Sequence, residues 1–129
     1  VLATAMITEC QNATGMAFDV QPELHSWHED KLDRIKVVFI RVGVREYDVI
    51  IKHNDRDEFI KAHDPSLRHI FEDDDNLTIV SLTPLGIAET FQLSSRSDQK
   101  LLFWSLMKNN VPPMKITKVV TYVLQCEDR

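Results

Sequence analysis

Residues able to do chemistry are scattered thinly along this chain. His25 and His28, followed by Glu29 and Asp30, share a face if that segment is helical, but no second pair at metal-ligand spacing completes a site. His53, His63 and His69 fall on expected loops or element ends. The run Asp73-Asp74-Asp75-Asn76 lacks the alternating ligands, central Gly and distant Glu of a calcium loop and reads as a solvated acidic turn. The chain has 3 glycines, none in an arrangement that cradles phosphate. A metal site, a bound cofactor and catalysis are therefore not expected, and the functional expectation is a non-enzymatic binding module.

Cations are concentrated in one stretch. Lys36, Arg41, Arg45 and Lys52 form the candidate anion-binding set, whereas residues 69–94 carry no Lys or Arg at all. The formal net charge is −5. Nucleic-acid binding is driven by contiguous cations that release counterions from phosphates, so DNA is excluded and RNA disfavoured as partners. Residues 36 and 41 differ in parity, which on one strand sends them to opposite faces.

Cys10 and Cys126 stand at opposite ends of the chain without a CxxC spacing. They are expected as free thiols of a reducing, cytoplasmic compartment, with a bridge between the termini as the unforced alternative. The triplets Asn12-Ala13-Thr14 and Asn76-Leu77-Thr78 have the form of glycosylation acceptors, and in such a compartment they are chance matches. At 129 residues the chain fits one domain, and a start at Val1 without a signal-peptide pattern suggests a segment of a longer protein.

The elements that must position these groups are read from periodicity. Residues 35–42 and 47–52 are β-branched runs around Gly43, predicting a hairpin. Asp55 with Glu58 resembles a capping box opening a short helix that ends at Asp64-Pro65. Residues 76–82 and 87–93 predict a second hairpin, and Leu101, Leu102, Trp104, Leu106 and Met107 recur at helical spacing after the hydroxyls of 95–97. Residues 115–125 predict a last strand, with Lys115, Thr117, Val119 and Thr121 as an edge open to a partner. Near the N-terminus, 2–10 fits a strand or short helix, 16–20 a strand, and 24–27 a strand or a helix start. Segments 33–64 and 75–106 share a strand, turn, strand, helix order at an offset of 42, consistent with a duplication or with two similar units. The fold class expected is α+β, a mainly antiparallel sheet with two helices and an added C-terminal strand.

Residues 76–109, with Phe91 and Leu93 on late strands and Trp104 in an expected closing helix, resemble the end of a pleckstrin-homology domain. Residues 55–65 look like the stretch before the late strands in phospholipase C members of that family. The resemblance implies a sandwich plugged by Trp104, with Phe91, Leu93, Leu101 and Trp104 as core. It also implies a protein partner within a scaffold, signalling or trafficking protein, or else a phosphoinositide membrane. In lipid-binding members the cations flank the loop joining the first two strands. If those strands are 2–10 and 16–20, loop 11–15 has no cation; if they form the 35–52 hairpin, Lys36, Arg41, Arg45 and Lys52 are available. Homodimerisation through 115–125 is a further expectation.

Overall fold

The computed structural model describes residues 7–20, 26–32, 34–53, 58–61, 68–82, 86–96, 98–111 and 116–129. Every regular element among them is a strand: β1 (Ile7–Asp19), β2 (Trp27–Leu32), β3 (Ile35–Gly43), β4 (Glu46–His53), β5 (Glu58–Lys61), β6 (Arg68–Glu72), β7 (Asn76–Leu82), β8 (Ile87–Arg96), β9 (Gln99–Val111) and β10 (Ile116–Asp128). The order across the single antiparallel sheet is β5-β4-β3-β1-β10-β9-β8-β7-β6, with β2 also paired to β1. The sheet curls into a nearly closed up-and-down barrel, in which pairing of the first strand with the last replaces two exposed edges by a ladder.

This overturns the α+β expectation. Residues 101–107, expected in the closing helix around Trp104, lie in β9 (Gln99–Val111), hydrogen-bonded to β8 on one side and β10 on the other. Apolar residues occur on both faces of this strand: Leu102 and Trp104 point into the barrel while Phe103 and Met107 point out, and two-sided apolar character mimics helical spacing. Of the expected helix after Asp55, residues 58–61 form β5, and the rest lies outside the described residues. The tail strand is not an edge, because β10 pairs with β1 as well as β9. Thr117, Val119 and Thr121 thus have no free ladder, and Lys115 lies outside the described residues.

β1 is one continuous strand through residues 11–15, the loop expected if 2–10 and 16–20 were the first two strands. Its register against β10 shifts between Gln11 and Thr14, and Asn12 takes φ 60°, so the break is a bulge that bends the strand. On its other side β1 pairs with β3 over Ile7–Cys10 and with β2 over Ala13–Phe18. Arg34, with φ 64°, lies in the bend joining those two strands opposite the bulge.

The barrel interior is filled rather than hollow. Phe91, Trp104 and Tyr122 are direct neighbours across β8, β9 and β10, with ring centroids 5.9 and 5.3 Å apart. Phe39 reaches Phe91 edge-on across the barrel at 5.9 Å. Around them Val37, Val49, Ile79, Leu102 and Leu124 are fully enclosed. Of the expected core, Phe91, Leu93 and Trp104 are buried, but Leu101 lies half-buried outside and Leu102 takes the inward place.

Cys10 and Cys126 are register partners and form a disulfide, which corrects the free-thiol expectation. It joins residues separated by 116 positions. Neither cysteine of the described chain is free.

A candidate ligand site in the barrel mouth

One end of the barrel gathers strand termini: the start of β1, β4, β7 and β9 and the finish of β3, β6, β8 and β10. Arg41, near the end of β3, is the register partner of Tyr47, near the start of β4. The guanidinium lies 5.1 Å from the Tyr47 ring centroid and donates to the phenol oxygen at 2.6 Å. Both groups then donate to Glu72 at the end of β6, Tyr47 at 2.5 Å and Arg41 as an ion pair. These contacts bridge the two ends of the sheet, so side chains close the barrel here where the ladder does not.

Glu72 is followed by a tight turn. The Asp73 carboxylate accepts the backbone N–H of Asp75 at 3.0 Å and of Asn76 at 2.9 Å, and the Asn76 side chain at 3.2 Å. Those backbone donors hold the Asp73 carboxyl below the usual range. On the opposite wall Lys100 of β9 and Thr8 of β1 both donate to Asp128, at 2.7 and 2.6 Å. Partial burial raises the Asp128 carboxyl, but these two hydrogen bonds outweigh it and leave the group lowered. Tyr47 moves the other way: burial and then its bond to Glu72 push the phenol up, so it stays a neutral donor.

These residues enclose a half-open pocket of about 280 Å³, floored by the buried Phe39, Leu77 and Leu93. Its lining carries four carboxylates, Glu72, Asp73, Asp74 and Asp75, against two cations, Arg41 and Lys100. The acidic run read as a solvated turn is thus the rim of a cavity. Tyr47, Glu72, Thr8 and Asp128 escaped the sequence reading because they meet only through strands distant along the chain; the sole local sign was the placing of Tyr47 at the start of the expected strand 47–52.

The four cations proposed for anions do not converge. Lys36 and Lys52 are register partners, and on the outer side Lys36 pairs with Glu9 at 2.9 Å. Arg129 reaches the same carboxylate at 2.8 Å. The hydrogen bond from Lys36, with the nearby positive charges of Arg129 and Lys52, holds Glu9 below the usual range despite its burial. Arg41 points into the mouth instead, and Arg45 sits exposed on the β3–β4 turn at φ 56°.

At the opposite end the outer surface carries a different feature. Leu82, Ala88, Met107, Val119, Phe18 and Trp27 are successive register partners across six strands. Leu82, Met107 and Trp27 are each about half exposed, at 46, 52 and 54 %. The adjacent outward row runs Val80, Thr90, Ser105, Thr121, Met16 and Glu29, so the two rows together hold a single charge.

Fold and site together define a nearly closed antiparallel up-and-down barrel with a packed interior, a polar mouth and, at its far end, an outer face whose two rows hold Glu29 as their one charge. No protein-family model, curated protein or solved structure matches the chain.

Proposed function

We propose that this chain is a non-catalytic binding barrel of an oxidising compartment, whose mouth receives a small organic cation with an apolar body. The observation that carries this reading is the seat held by Arg41. A cation already lies over the Tyr47 ring against Glu72, in a pocket whose lining is richer in carboxylates than in cations. An amine offers the same charge to the same ring and carboxylate, while Phe39, Leu77 and Leu93 supply an apolar floor. Barrel mouths are common sites for such ligands. The disulfide supports an oxidising setting in place of the cytoplasmic one. Calorimetric titration with phenethylamine and its shape-matched anion, phenylacetate, tests the reading. The amine should bind, and Glu72→Gln should weaken it at least tenfold, about 1.4 kcal/mol. Preference for phenylacetate, or no heat from either compound at millimolar concentration, rejects it.

The outer face, with a single charge in its two rows, favours a second, compatible reading, protein recognition by a second copy of the chain. Interface centres are depleted of charge, and an isologous contact sets this face against itself with no like charges opposed except at Glu29. Sedimentation equilibrium should show a dimer at micromolar concentration that Met107→Glu converts to monomer without lowering the melting temperature. A wild-type monomer throughout that range excludes it.

A further inference from the structure

The chain has two triplets of the Asn-X-Thr form, Asn12-Ala13-Thr14 and Asn76-Leu77-Thr78, with no proline in the middle position. Their dismissal rested on a reducing compartment, and the Cys10–Cys126 disulfide removes that premise. None of the other asparagines, at 54, 109 and 110, begins such a triplet. The structure then supplies what the motif alone lacks. Asn12 is exposed at the crown of the β1 bulge, where φ 60° takes its backbone out of the ladder. Asn76 is exposed at the start of β7, on the turn beyond Asp75. Its amide nitrogen donates to Asp73, a bond that survives conversion because a glycosylated amide keeps one N–H.

The two sites also share a level on the barrel. Asn76 is six residues along β7 from Leu82, and its register row runs through Ser94, Leu101 and Gln125 to Gln11, the neighbour of Asn12. At a rise of about 3.3 Å per residue both lie about 20 Å from the apolar row that Phe18 and Leu82 belong to. Polar sugars at these positions would crown the mouth end and leave the apolar row bare.

We propose that Asn12 and Asn76 are N-glycosylation sites, modified as the chain enters the secretory pathway of a eukaryotic cell. The donor is a lipid-linked oligosaccharide diphosphate. The Asn Nδ2 forms a bond to the anomeric carbon, the anomeric C–O bond breaks, the lipid diphosphate departs with that electron pair, and the amide proton passes to a base of the cell's transferase. No redox partner is required.

The test is secretion of the full chain behind a leader from a eukaryotic cell line, with intact mass and glycopeptide mapping before and after peptide-N-glycosidase in ¹⁸O-water. Two glycans are expected, with ¹⁸O-labelled Asp replacing Asn at 12 and 76. Asn12→Gln and Asn76→Gln should each remove one, and Thr14→Ala should do the same as Asn12→Gln if the latter fails to be secreted. Secreted, disulfide-bonded wild-type chain at the bare polypeptide mass overturns the proposal. Occupancy at one residue alone upholds it there and overturns it at the other.

Discussion

Gly15 of β1 lies directly opposite Tyr122 of β10, and the phenol ring covers the space where a side chain at residue 15 would stand. A Cβ there would fall 2.1 Å from the Thr121 carbonyl oxygen and 2.7 Å from Tyr122 Cδ1. The ring is held over the glycine from beyond it, because its hydroxyl donates to Asp30 of β2 at 2.7 Å. Phe91, Trp104, Tyr122, Gly15 and Asp30 thus form one cross-strand row over five strands. The missing side chain is what lets β1 approach β10 under an aromatic cover.

Gly15→Ala should therefore destabilise the barrel by about 3 kcal/mol, since backbone rather than a flexible side chain opposes the new methyl. Urea denaturation measures this; a loss under 1 kcal/mol would show that the strands separate easily.

Trp104 separates size from polarity. It is 6 % exposed, and its indole nitrogen has no hydrogen-bond partner among the described residues. Trp104→Ala should cost about 3–5 kcal/mol through the cavity it leaves. Trp104→Phe keeps most of the ring contact with Phe91 and Tyr122 and removes a buried donor, so it should cost no more than about 1.5 kcal/mol. Equal losses for the two variants would contradict this assignment.

Replacing both Cys10 and Cys126 by Ser should lower stability by about 3–5 kcal/mol on the chain-entropy account, given a closed loop spanning a sequence separation of 116. Comparing the variant with reduced wild type distinguishes the crosslink from lost packing, and the two should melt together.

Both tyrosines of the chain have raised phenol pKa values. Burial acts first on Tyr47 and Tyr122, then donation to Glu72 and Asp30. Raised folded values contribute stability that is fully present below the unfolded value of about 10 and is lost as pH climbs above it. Absorbance at 295 nm should show no tyrosine ionising near pH 10 until the barrel unfolds. At the acid end Glu9 and Asp128 have lowered values, so their contribution is present above about pH 4 and lost as pH falls below it. Glu9→Gln should flatten the decline of melting temperature between pH 5 and 3.

Much of the sheet was legible locally. Residues 76–82, with Leu77, Ile79 and Ser81 inward and their neighbours outward, form β7 at the expected bounds, and the 35–52 hairpin became β3 and β4. What failed was decided by distant neighbours. Residues 101–107 read as helix because both sides are apolar, yet β8 and β10 satisfy that backbone from either side. Gly15 fell in the conditional loop 11–15, and its real reason is a ring more than a hundred positions away. The cysteines could be paired only once β1 was known to lie beside β10. For the mouth, Arg41 was visible as a cation, but its partner Glu72 is 31 positions on and was hidden in the acidic run.

The ladder between β1 and β10 also governs the timing of assembly. Residues 7–19 leave the ribosome early but cannot acquire that neighbour until residues 116–128 follow. Meanders such as β7 to β9 can form during synthesis, while the wall between β1 and β10 stays unsewn and its strand edges stay open to chaperones or to other chains. The last ladder therefore forms only once Ile116–Asp128 has emerged, and a chain cut short before Ile116 should be held back as an open sheet, whatever ligand its mouth was meant to receive.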